Sequence, residues 1–239
     1  MDQNRALLFS DWELDAIINN LNSTRDDDFS NLVKIVHAGQ FDEASDWLRV
    51  ETSHYPWVLL IHAYVSLQTG KLDEARKMLR AVTLIAQDTL VQLWAWNNLV
   101  KLGKSPAAAL AKQVLGIIIE VPYDQGAEVL ASYADGTARY INHNGGMILW
   151  EDFDETITPL IYEGIKLAHP MGEPTTQHRD SPIAEGDVRL TLLTPGGIYT
   201  WEGSPEDGSE VSRLFAQQAG LLRALVRIAF EKKSNEEEE

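Results

Sequence analysis

The chain has 239 residues, 44% hydrophobic and 23% charged, an ordinary globular composition that excludes disorder as the default and allows one large or two small domains. The formal net charge of −16 is uneven, with 11 basic against 14 acidic residues in 1–113 and 9 against 22 in 114–239; with no basic block to neutralise phosphates, nucleic acid is not an expected partner. The absence of cysteine removes disulfide and thiolate chemistry, and there is neither a basic-then-apolar leader nor a run of about 20 apolar residues, so the expectation is a cytoplasmic protein without a membrane partner.

In chain order, Ser10 and Glu13 have the spacing of a capping box, and Phe9 with Leu14 that of a hydrophobic staple. Leu14, Ile17, Ile18 and Leu21 then give the stripe of a one-faced helix, ended by Asn22-Ser23 and the run Asp26-Asp27-Asp28. Residues 1–24 read as an N-terminal capping helix.

Residues 25–115 read as a helical repeat domain. Gly39-Gln40-Phe41-Asp42-Glu43-Ala44 returns as Gly70-Lys71-Leu72-Asp73-Glu74-Ala75 and, more weakly, as Gly103-Lys104-Ser105-Pro106-Ala107-Ala108. Each glycine stands between two apolar helical segments. An antiparallel helix pair needs a residue free to take φ > 0 at the turn and a small alanine where the helices approach. Residues 29–115 thus resemble the tetratricopeptide repeat (TPR), whose unit is about 34 residues and whose second helix opens on Gly-x-aromatic-Asp-Glu-Ala. Leu48 and Leu79, four residues after the alanines, Pro56 at a repeat end and Ala63 in a first helix fit that pattern. Lys112 and Trp96 depart from it in the third copy, which reads as degenerate or terminal. The resemblance implies stacked helical hairpins and a protein partner.

Near Gly116 the period changes, and residues 116–231 read as an α+β domain followed by an acidic tail, 232–239. Ile117 to Val121 is a β-branched run ended by Pro122. Asp135-Gly136 and Asn144-Gly145 then divide Glu128 to Glu151 into a three-stranded meander. Two-residue turns would set Tyr133 opposite Ala138 and Ala131 opposite Tyr140 on one face. The second face would hold Leu130 opposite Ile141, Ile141 opposite Ile148, and Arg139 opposite Trp150, with the guanidinium stacked on the indole. Further on, Thr158-Pro159 should open a helix that stops before Pro170, residues 170–186 form a Pro-rich loop, and Pro195-Gly196-Gly197 splits a second hairpin. Ser204 to Asp207 should start a last helix that covers the Tyr133 and Tyr140 face. The element order looks like that of small docking units of the roadblock or profilin class. The string from Tyr133 to Glu151 is similar to segments of uncharacterised bacterial proteins, a likeness that implies no activity.

The familiar catalytic signatures, from nucleophile elbow to P-loop, are absent from the sequence, and its six histidines lack helical metal spacing. No cofactor or metal is therefore expected. Glu151, Asp152, Asp154 and Glu155 could converge on a cation, yet carboxylates just ahead of a helix are stabilised by its dipole alone. Trp94 and Trp96 lie about 200° apart on a helix and cannot share one core. The leading expectation is a non-catalytic adaptor of bacterial type. It would bind another protein, or a second copy of the chain, through the repeats and the second meander face, with Trp94, Trp96, Leu130, Arg139, Ile141, Ile148 and Trp150 as interaction residues. The alternative is a small-molecule sensor or enzyme using the α+β domain, the 170–186 loop as a lid, and His178, Arg179 and Asp180 as its polar groups.

Overall fold

The computed structural model describes residues 8–21, 27–50, 55–123, 126–169 and 181–236, the side chains of 232–236 excepted. The fold is α+β. The chain divides into a helical unit, Ser10–Ala108, and a sheet unit, Ala109–Glu239, to which Leu8 and Phe9 also belong. His178, Arg179 and Asp180, with most of the expected lid, lie outside the described residues.

The helical unit holds α1 (Leu14–Asn19), α2 (Asp28–His37), α3 (Phe41–Val50), α4 (Pro56–Gln68), α5 (Leu72–Ile85) and α6 (Thr89–Lys101). One joint recurs three times. Gly39, Gly70 and Gly103, after α2, α4 and α6, take φ of +71°, +75° and +78°. The next N–H then reaches back five residues, from Gln40 to the Ile35 carbonyl (3.1 Å), from Lys71 to Ser66 (2.7 Å) and from Lys104 to Leu99 (2.8 Å). This closure satisfies carbonyls that a helix end leaves orphaned. Nothing lies within 4 Å of a Cβ built at these glycines, so the backbone angle alone selects them. Ala44 and Ala75 are fully buried where the helices of each pair meet, with Leu48 and Leu79 one turn on.

Two helical pairs, α2 with α3 and α4 with α5, are thus followed by a third first-helix, α6. The third pair is not completed: α7 (Ala108–Ala111) is a single turn, and the carbonyl of Ala111 accepts from the Gly196 N–H at 3.1 Å. A Cβ on Gly196 would lie 2.6 Å from that oxygen, so the close approach itself requires glycine.

The expected capping box at Ser10 is not formed. α1 begins four residues later with Glu13 at its N-cap and no side-chain cap bond. Its first N–H, from Leu14, donates instead to Asn98 Oδ1 in α6 at 2.9 Å, a tertiary acceptor in place of the local one. Of the acidic run, Asp27 caps α2 by accepting from the Ser30 N–H at 2.7 Å.

The sheet unit has six antiparallel strands, β1 (Gly116–Tyr123), β2 (Gly126–Tyr133), β3 (Ala138–Ile141), β4 (Met147–Trp150), β5 (Val188–Thr194) and β6 (Gly197–Gly203), in the order β4-β3-β2-β1-β5-β6. Pro122 does not end β1, which continues to Tyr123; β5 pairs only as far as Glu120, so the missing N–H interrupts no ladder with it. α8 (Ile157–Ala168) and α9 (Glu210–Glu236) pack on one face.

Both meander turns are one residue longer than expected. Tyr133 N–H donates to Thr137 O and Asn142 N–H to Gly146 O, enclosing three-residue loops with Gly136 at φ +88° and Gly145 at φ +85°. These are type I turns closed by a glycine bulge. The register shifts by one: Ala131 pairs with Arg139, Leu130 with Tyr140, Tyr140 with Ile148 and Ala138 with Trp150. One step of slip exchanges the faces. Leu130, Tyr140, Ile148 and Trp150 therefore lie under the helices, whereas Tyr133, Arg139 and Ile141 lie on the far face, and α9 covers Tyr140 but not Tyr133.

The helices of this unit also start differently from expectation. Thr158 is inside α8; Asp154 Oδ1 accepts from Thr156 N (2.7 Å) and Ile157 N (2.9 Å), and Thr158 Oγ1 accepts in return from Asp154 N (3.0 Å). α9 starts at Glu210 rather than at Ser204, with Ser209 Oγ accepting from the Ser212 N–H at 3.2 Å.

Candidate interaction face

α4 and α6 are buried nearly all round. In α4 the run Val58 to Ile61 and the run Ala63 to Ser66 are buried, and in α6 the runs Thr89 to Val91 and Leu93 to Ala95. Each therefore has a neighbour on the side away from α5, and part of that cover is α1. An end cap would meet only the first pair. α1 meets all three first-helices: Ile18 O accepts from His37 Nε2 of α2 at 2.9 Å, Asp15 Oδ1 accepts from Tyr64 Oη of α4 at 3.0 Å, and Glu13 Oε1 accepts from Lys101 Nζ of α6 at 3.1 Å. Asn98 of α6, itself buried, caps Leu14 and donates to Trp12 O at 3.1 Å, and Asn97 donates to the same carbonyl at 3.0 Å. α1 thus crosses the face built by α2, α4 and α6.

Apolar contact anchors it there. The Trp12 ring lies 6.4 Å from that of Trp94, which lies 6.0 Å from Trp57 at an interplanar angle of 62°. Such aromatic pairs contribute about 0.5–1.5 kcal/mol each beyond area burial. Leu14, Ile17 and Ile18 are 2%, 3% and 0% exposed, and burying side chains of that size stabilises by about 1.5–3 kcal/mol each. Of the residues that hold α1, Trp94 was among the sequence expectations, whereas His37, Tyr64, Asn97, Asn98 and Lys101 were not. The available signal was Asn97-Asn98, two amides inside an otherwise apolar helix.

Of the expected interaction residues, Trp94 belongs to this aromatic cluster, and Trp96, on the other side of α6, is half-buried. The meander set is not one face. Leu130 and Trp150 are buried beneath α8 and α9, Ile148 is half-buried on that side, and Ile141, 2% exposed, is on the other. Arg139 lies over the Tyr133 ring at 5.8 Å rather than on Trp150. The meander's exposed apolar side chains are Met147 and Leu149 on the edge strand β4.

Two polar clusters mark the sheet unit. On the helix side Glu128 accepts from Tyr140 and pairs with His143 Nδ1 at 3.1 Å, and His143 stacks on Tyr123 at 5.0 Å. Burial, followed by the Glu128 contact, pushes the Tyr140 hydroxyl up to about 12. The adjoining cavity, between the sheet and α9, is about 50 Å³, well under the ~150 Å³ that admits a benzene-sized ligand. On the far face Arg189, 3% exposed, donates to Glu202 Oε1 at 2.6 Å, stands 3.7 Å from Glu120 Oε2 and reaches the Ser181 carbonyl. The Asp154 carboxylate is engaged by the start of α8, so this member of the acidic cluster has a structural use.

Among the described residues no helix is long and apolar enough to cross a membrane. No family model matches the chain, and neither the curated proteins nor the solved structures compared with it give a match.

Proposed function

We propose that the protein is a non-catalytic adaptor of the bacterial cytoplasm whose TPR-like helical unit binds a partner protein on the face built by α2, α4 and α6. The observation that carries this reading is α1, an amphipathic segment that crosses the three helices and is held there by an aromatic anchor and by hydrogen bonds to its backbone. The repeated glycine joint supports it from another side, because stacking like units makes an extended surface from short elements. The acidic charge argues against nucleic acid as the partner.

The test is photo-crosslinking in cells of the natural host. A photoreactive residue would replace Asn97 or Lys101 of α6 at the face, or Met147 or Leu149 on β4. Adducts with another protein from the first pair and not from the second are expected. Adducts confined to β4, or none from either pair, would overturn the assignment.

A further inference from the structure

Resting on the adaptor reading, we propose that the face takes an acidic amphipathic helix with a tryptophan anchor, that α1 is its built-in occupant, and that a partner helix of the same chemistry binds by displacing α1. The contacts divide by what they recognise. Asn98, Asn97 and His37 bond only backbone atoms, Leu14 N, Trp12 O and Ile18 O, at the two ends of the segment, and would hold any helix of this length. Side-chain selection comes from the Trp94 ring, itself packed against Trp57, for the indole of Trp12, from Lys101 for Glu13 and from Tyr64 for Asp15. An indole followed within three residues by two carboxylates, with apolar residues at the Leu14, Ile17 and Ile18 positions, is the chemistry so selected. The segment from Ser10 to Leu21 supplies three carboxylates and no Lys or Arg.

α1 has the features of a replaceable occupant. At 6 residues it is far below the ~12–15 at which an isolated helix becomes even marginal in water, so its form depends on the face. The glycine joints and the buried Ala44 and Ala75 that assemble the pairs make no use of it. Held in cis, however, it competes at an effective concentration on the order of millimolar, which hides the face from a weak ligand.

The probe is a fluorescein-labelled peptide of residues 8–21, LFSDWELDAIINNL, titrated against full-length protein by fluorescence polarisation. D15K removes the Tyr64 bond at an exposed position and W12A removes the anchor; each chain should bind the peptide at least ten-fold tighter than wild type does. A peptide with alanine at the tryptophan should bind the D15K chain ten-fold more weakly. Should W12A fail to fold, D15K decides alone, since it opens no cavity. A D15K chain that keeps the wild-type melting curve yet binds no tighter overturns the proposal. So does a wild-type chain that dimerises by exchanging α1, because the occupant would then be a second copy. Loss of peptide binding with crosslinks still on the face would remove this inference and leave the adaptor reading. Peptide binding with crosslinks only on β4 would do the reverse.

Discussion

The helical unit and the sheet unit are assembled by different routes. In the first, one short joint is used three times, and each copy is closed by a glycine and a bond spanning five residues. In the second, β1 pairs at once with β2, next in sequence, and with β5, which begins at Val188, so its centre depends on contacts distant along the chain. The difference extends to charge. The helical unit meets its apolar neighbours with small residues, whereas the far face of the sheet buries Arg189 between Glu120 and Glu202. A unit made of repeated local joints should tolerate the loss of any single one, while a unit centred on a buried charge cluster should not.

The largest expected effect is therefore in the sheet. Arg189→Met leaves the Glu120 carboxylate, 7% exposed, without its cation, and should lower stability by about 3–5 kcal/mol. Hydrogen exchange of the β1 and β5 amides at increasing denaturant would measure it, and a loss under about 1 kcal/mol would remove the charge cluster from the comparison. Next comes Ala75→Trp, which forces a large ring between α4 and α5 and should cost about 1–3 kcal/mol or more, read as a lower melting temperature of the helical signal. An unchanged melting curve would mean the pair is not tightly packed. Gly70→Ala should cost only about 1 kcal/mol, since the positive φ is strained but open space surrounds the site, and Gly39→Ala should cost the same. Unequal losses would mean that the joints are not equivalent.

The smallest effect is a pH dependence. Burial holds the His62 pKa below the ordinary 6.5, opposed by Glu74, whose carboxylate is 3.8 Å away, and aided by Lys71 and Lys77. A depressed pKa favours the neutral ring in the folded chain. The stability it contributes is thus complete above pH 6.5 and lost as pH falls through the lowered value. His62→Gln should flatten the slope of unfolding free energy against pH below 6.5, and an identical slope in both chains would assign it to other groups.

The same contrast decides what could be read from the residues alone. Gly39, Gly70 and Gly103 announce their joints because φ > 0 is a local demand, and Ala44 and Ala75 repeat with them. The strands of the meander were equally legible, but their pairing was not, because Asp135-Gly136 suits a two-residue or a three-residue loop. What selects the longer loop is side-chain bonding. Asp135 Oδ1 accepts from both the N–H and the hydroxyl of Thr137 (2.9 and 2.7 Å), and Asn142 Oδ1 accepts from Asn144 N (3.0 Å) and Gly146 N (2.7 Å). That single step sent Leu130 and Trp150 into the core and turned Arg139 away from Trp150. The place of α1 was less legible still. Its cap, Asn98, is 84 residues from Leu14, and a local pattern that fits a capping box at Ser10 cannot register a better acceptor so far along the chain.

The central claim, that α1 occupies the face rather than forming part of the array, is tested most directly by native-state hydrogen exchange of the full-length wild-type chain. The amides of α1 should exchange through a local opening, well before those of α4 and α6, with little dependence on denaturant at low concentration. Exchange of α1 only together with α4 and α6, along one global unfolding isotherm, would make it an integral element of the helical unit and contradict the account.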